Sequence, residues 1–78
     1  MSSKLYTPPE WMQDELKKVI EVRYPNLNIM STRIDYTQEK GGYIGAFVRL
    51  GTESDTLTAC FEFENKSKSW RCSSDWNN

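Results

Sequence analysis

The chain has 78 residues, of which 37% are hydrophobic, 13% aromatic and 27% charged, so it makes one domain with a single small core and is too aromatic for a disordered tail. Ten Lys and Arg against eleven Asp and Glu leave a net charge of −1, which removes the strong electrostatic prior for duplex nucleic acid and is too mild for a nucleic-acid mimic. No apolar run approaches the ~18 residues of a membrane span, and Met1-Ser-Ser-Lys-Leu-Tyr6 lacks the apolar core of a signal peptide, so a cytoplasmic protein without a membrane segment is expected.

The first organised stretch is Tyr6-Thr-Pro-Pro-Glu-Trp11. Thr7 at the N-cap with Glu10 three residues on has the form of a capping box, Pro8 suits a first helical position, and Tyr6 and Trp11 are spaced as a hydrophobic staple. A helix over residues 8–24 is predicted. Met12, Leu16, Val19, Ile20 and Tyr24 recur at helical spacing and form its packing face, with Gln13, Asp14, Lys17, Lys18 and Glu21 mostly opposite. Pro25 disfavours helical geometry at Tyr24 and ends the helix there.

Four strands follow, over 28–37, 43–50, 57–64 and 69–76, separated by polar turns rich in Gly, Ser and Asn. The clearest is Leu57-Thr-Ala-Cys-Phe-Glu-Phe-Glu64, where Leu57, Ala59, Phe61 and Phe63 share one face and Thr58, Cys60, Glu62 and Glu64 the other. Apolar matching sets the register of each hairpin. In the first, Tyr36 is placed opposite Ile44, Ile34 opposite Ala46, Thr32 opposite Val48 and Met30 opposite Leu50. In the second, Leu50 faces Leu57, Val48 faces Ala59, Ala46 faces Phe61 and Ile44 faces Phe63. In the third, Phe63 faces Trp70, Phe61 faces Cys72, Ala59 faces Ser74 and Leu57 faces Trp76. The third register also sets Glu62 opposite Arg71 on the outer face, a favourable cross-strand charge pair.

The predicted fold is α+β: a single domain, 1–78, with one N-terminal helix packed on a four-stranded antiparallel β-meander. Its order resembles the cystatin-like arrangement in shape, without the Gln-x-Val-x-Gly and Pro-Trp hairpins of cystatins. Cys60 and Cys72 fall on opposite faces of the sheet and are expected as thiols.

No histidine occurs, so the commonest general base and the commonest transition-metal ligand are both missing. No Gly-x-Gly-x-x-Gly or Walker-type stretch is present, and Gly41-Gly42 and Gly45 read as turn and strand glycines. Glu62 and Glu64 lie about 7 Å apart on one face, but Arg71 makes an ion pair a better reading than a tuned acid. No catalytic residue, metal ligand or cofactor is expected.

The outer face carries the remaining signal. Phe47 stands there among Arg33, Arg49 and Arg71, with Tyr43 extending the patch. These five residues are the candidate partner-binding set, because aromatic and Arg side chains dominate interface hot spots. The expected function is a non-catalytic protein-binding module, an inhibitor or adaptor, acting through this face or an edge strand as a monomer or an edge-paired homodimer. The alternative is single-stranded nucleic-acid binding, with Phe47 and Tyr43 stacking bases and the arginines meeting phosphates. Asp35, Glu62, Glu64 and Asp75 on the same predicted face weigh against it, since they repel a phosphate backbone.

Overall fold

A computed structural model of the chain describes residues 3–39 and 41–77. The elements are β1 (Ser3–Leu5), α1 (Glu10–Arg23), β2 (Ser31–Glu39), β3 (Ile44–Gly51), β4 (Thr56–Glu64) and β5 (Ser69–Asn77). The predicted helix and antiparallel meander are present, and β1 joins them as a short fifth strand, giving the order β1-β2-β3-β4-β5. β1 pairs Ser3 with Glu39 and Leu5 with Thr37, and Tyr6 N–H continues the ladder to the Tyr36 carbonyl at 3.0 Å. A three-residue strand is too short for alternation to reveal it; it forms because the edge of β2 is there to pair with.

The helix starts two residues later than its sequence pattern predicts, and the capping box does not form. Pro9 is the N-cap, with φ −57° and ψ 155° and no side-chain cap bond. The reason lies in the Pro-Pro pair: a residue preceding proline is pushed out of the α region, so Pro8 cannot be the first helical residue when Pro9 follows it. Pro9 instead supplies its carbonyl to the amides of Met12 and Gln13, at 3.0 and 3.2 Å. The Gln13 side chain donates to the Pro8 carbonyl at 2.8 Å, tying the residue before the cap to the first turn.

Met12, Leu16 and Ile20 are the buried stripe of α1, one helical turn apart, with Val19 and Tyr24 partly buried beside them. They rest on Ala46, Val48 and Leu50 of β3, Ala59, Phe61 and Phe63 of β4, and Trp70 of β5. Trp11, which the staple spacing paired with Tyr6, stands edge-on to Phe63 at 5.8 Å, and Phe63 is in turn edge-on to Trp70 at 5.3 Å. The Trp70 indole N–H donates to the Met12 carbonyl at 2.8 Å in a buried bond. That bond satisfies the one polar atom of a large core residue and ties the first turn of the helix to the last strand.

Strand registers divide into one that matches the apolar pattern, one that slips and one that breaks. β3 and β4 pair as predicted, Leu50 with Leu57 and Ala46 with Phe61. β2 and β3 are displaced by two residues: Tyr36 pairs with Ala46, Ile34 with Val48 and Thr32 with Leu50. A slip of two preserves both faces, so the apolar pattern cannot distinguish the registers. The turn decides instead. Gly41 and Gly42 take φ of 88° and 86°, and Gly42 N–H donates to the Glu39 carbonyl while Glu39 N–H donates to that of Tyr43, at 3.1 and 2.8 Å. This tight closure draws Gln38 and Glu39 into the strand. β4 and β5 begin in the predicted register, Phe63 with Trp70, Glu62 with Arg71 and Phe61 with Cys72, and then shift at a bulge beyond Phe61.

Phe61 lies in the middle of the sheet and is 1% exposed. Phe61→Ala is expected to cost about 3–5 kcal/mol, most of the stability of a domain this small. A denaturant melt of the variant checks this, and a midpoint shift no larger than that of a surface substitution contradicts it.

Candidate functional site

The bulge in β5 builds the site. After Phe61 pairs with Cys72, pairing resumes with Cys60 opposite Ser74, leaving Ser73 as the extra residue. Its hydroxyl donates to the Cys60 carbonyl at 3.1 Å, and the Cys72 thiol donates to the Ser74 carbonyl at 3.5 Å. Every residue beyond Ser73 consequently changes face relative to a regular strand. Trp76, predicted opposite Leu57 in the core, instead pairs with Thr58 on the outer face. Asp75, predicted outside, pairs with Ala59 on the helix side.

On the outer face, the row Arg33, Arg49, Thr58, Trp76 lies beside the row Asp35, Phe47, Cys60, Ser74. The Phe47 and Trp76 rings stand 6.4 Å apart, and the Arg49 guanidinium lies 5.6 Å from the Phe47 ring centre. Thr58, between Arg49 and Trp76, is 1% exposed although no helix covers this face. A second, miniature apolar cluster therefore exists on the side of the sheet away from α1. Trp76 remains 44% exposed above it, which makes it a large side chain seated on a support rather than loose in solvent.

The charges of this cluster are not internally balanced. Arg33 and Arg49 are direct cross-strand partners, an unfavourable like-charge pairing. Arg33 is offset by Asp35 at 3.8 Å. Among the described residues Arg49 has no carboxylate partner and lies over the π-face of Phe47, which attracts a cation more weakly than a carboxylate does. The site is thus a cation held over an aromatic floor.

The five predicted binding residues divide in two. Arg33, Phe47 and Arg49 come together, whereas Tyr43 and Arg71 stand beyond Gly45, which leaves a gap between Tyr43 and Phe47 along β3. Tyr43, 70% exposed, borders a recess of about 480 Å³ with Glu39, Ile44, Gly45, Glu62 and Arg71. Arg71 there meets Glu62 at 3.7 Å, the predicted cross-strand pair. Trp76 is the member of this outer-face cluster that the sequence pattern does not place there. The signal for it is the Ser73-Ser74 doublet in mid-strand, where a regular register puts a serine under the helix.

A second concavity, about 560 Å³, runs between α1 and β5 along Val19, Val22, Trp70 and Cys72. Its rim cations are already occupied: Lys18 by Glu15, Arg23 by Asp75 and Arg71 by Glu62. Cys72 lines this groove and is half-buried like Cys60, so the two free thiols differ in face but not in degree of burial. Among the described residues no group of three or more His, Cys, Asp or Glu is gathered closely enough to hold a metal ion. Compared with known protein families, curated proteins and solved structures, the chain matches none.

Opposite the site, Asp75 closes a network with the end of α1. Its carboxylate accepts from the Tyr24 hydroxyl at 2.7 Å and from Arg23 Nη2 and Nε at 3.2 and 3.3 Å. The hydrogen bonds from Tyr24 and then Arg23 hold the Asp75 carboxyl below its ordinary range. Burial, helped by the bond to Asp75, pushes the Tyr24 phenol up to about 12. A raised folded-state value means that the folded chain keeps its proton while the unfolded chain loses it, so this contribution is intact below pH 10 and is lost as the pH climbs towards 12. Asp75 behaves oppositely, its contribution being lost in acid as the pH falls through its lowered value. Thermal melts across the alkaline range are expected to show a loss of stability that is smaller in Tyr24→Phe, and a spectroscopic titration to show one phenol ionising near pH 12.

Proposed function

We propose that the chain is a non-catalytic protein-binding module, an inhibitor or adaptor, that engages its partner through the outer sheet face at Arg33, Phe47, Arg49 and Trp76. The observation that carries this reading is the Phe47–Trp76 ring pair supporting a guanidinium with no carboxylate partner among the described residues. Trp, Phe and Arg are residue types that anchor interfaces, and a half-exposed Trp held by a neighbouring ring loses little freedom on docking. The partner surface supplies an apolar group for the ring pair and a carboxylate for Arg49, which also relieves its repulsion from Arg33. A protein surface provides that mixture.

Single-stranded nucleic acid is the competing reading, and the bulge gives it some support by moving Asp75 off this face and Trp76 onto it. Asp35 and Glu62 nevertheless remain beside Arg33 and Arg71, where they disfavour a continuous phosphate track. Edge pairing is less favoured than the face. β1 occupies part of the β2 edge, and the Ser73 bulge interrupts the β5 edge in the manner that discourages strand addition.

Affinity capture with wild-type and Phe47→Ala baits, with and without nuclease, tests the reading. Capture of a protein that survives nuclease and is lost with the variant is expected, with affinity weakened by about 2 kcal/mol, roughly 30-fold, while the melting curve stays within about 1 kcal/mol of wild type. Capture that disappears with nuclease, or binding that falls steeply with salt, assigns the face to nucleic acid instead. Unchanged protein binding by a Phe47→Ala/Arg33→Ala bait removes the face from consideration.

A further inference from the structure

The position of Trp76 hangs on one extra residue. If the register that begins at Phe63/Trp70 continued without interruption, Cys60 would pair with Ser73, Thr58 with Asp75 and Leu57 with Trp76. That pairing is the one the apolar alternation of β5 favours, because it places the indole over the core. In the observed pairing Trp76 lies opposite Thr58 and is 44% exposed, so hydrophobic burial opposes the bulge. Something must offset it. The three hydrogen bonds from Tyr24 and Arg23 to the Asp75 carboxylate exist only when Asp75 is on the helix side of the sheet. Two of them come from the Arg23 guanidinium and the shortest, 2.7 Å, from the Tyr24 hydroxyl; each is solvent-exposed and modest, and they act together.

We infer that Arg23, Tyr24 and Asp75 form a register lock for β5, and that the end of α1 thereby regulates the outer-face binding site. β5 has two pairings with β4. The locked one sets Trp76 beside Phe47 and Arg49; the unlocked one turns Asp75 outward, opposite Thr58, and folds Trp76 inward onto Leu57. The unlocked face has lost its aromatic anchor and gained a carboxylate close to Arg49, which then quenches the cation a partner needs. Arg23, Tyr24 and Asp75 are positioning residues on the far side of the sheet from the partner. The functional consequence rests on the outer-face reading, whereas the two-register equilibrium does not.

The register is read without any partner, from nuclear Overhauser contacts of the Trp76 indole, assigned with Trp76→Phe. Wild type is expected to show contacts to Phe47 and none to the Leu57 methyls. In Asp75→Asn, and in Tyr24→Phe, which removes the shortest bond without altering β5, the Phe47 contact is expected to weaken about fivefold as Leu57 contacts appear, the ratio corresponding to roughly one lost hydrogen bond. Deleting Ser73 supplies a control that a merely structural role would not satisfy. Without Ser73 the regular ladder places Asp75 inward and Trp76 outward by itself, so in that background Asp75→Asn is expected to leave the Phe47 contact intact. Persistence of the Phe47 contact with no Leu57 contact in both single variants overturns the lock, as does loss of the contact in the deletion background. A register that changes as described while partner capture is unaffected leaves the lock standing and overturns the outer-face reading.

Discussion

One extra residue in an edge strand governs how the two faces of this sheet are furnished. Because side chains alternate along a strand, inserting Ser73 reverses the sense of everything after it. Asp75 then lies over the helix side, where Arg23 and Tyr24 satisfy it, and Trp76 lies over the open side, where Phe47 meets it. Neither residue suits the face it would occupy in a regular strand equally well on all counts: the indole would gain burial, but the carboxylate would lose three donors. The bulge is the geometric expression of that competition.

The inner face is stable enough to tolerate it. Trp70, Phe63 and Trp11 form a chain of edge-on contacts beneath and beside the start of α1, and Tyr36 approaches Trp70 at 5.9 Å from across the sheet. The buried bond from Trp70 to the Met12 carbonyl anchors the helix at its first turn, while the Asp75 network anchors it at its last. Helix and β5 are thus pinned to one another at both ends, and the pin at the far end is the more exposed, with side-chain exposures of 45% and 33% for Arg23 and Asp75. Solvent screens such a pair, which makes that end the weaker attachment and the place where a change of register begins.

Much of the fold was legible from period and punctuation. The stripe of Met12, Leu16 and Ile20, the alternation of Leu57 to Glu64, and the β3–β4 register all follow from which side chains avoid water. The outward placement of Arg33, Phe47, Arg49 and Arg71 was legible for the same reason. Their grouping was not: a two-residue slip in the β2–β3 hairpin preserves faces yet changes neighbours, so Arg33 meets Arg49 instead of Phe47. The capping box failed on a local rule that outranks it, the restriction proline places on the residue before it.

By itself, then, the amino-acid sequence determined the inventory and its sidedness: one amphipathic helix, four alternating strands, no histidine, and an arginine-rich outer face carrying a phenylalanine. These are properties of near neighbours in the chain, set by apolar periodicity and turn chemistry. Only the tertiary structure decided that β1 adds a fifth strand, that Tyr43 and Arg71 stand apart from Phe47, and that Trp76 rather than Asp75 shares the face with Arg49. Those outcomes depend on contacts between residues as distant as Tyr24 and Asp75. The energy of such a contact exists only once the helix has docked on the sheet, so no local pattern in β5 contains it.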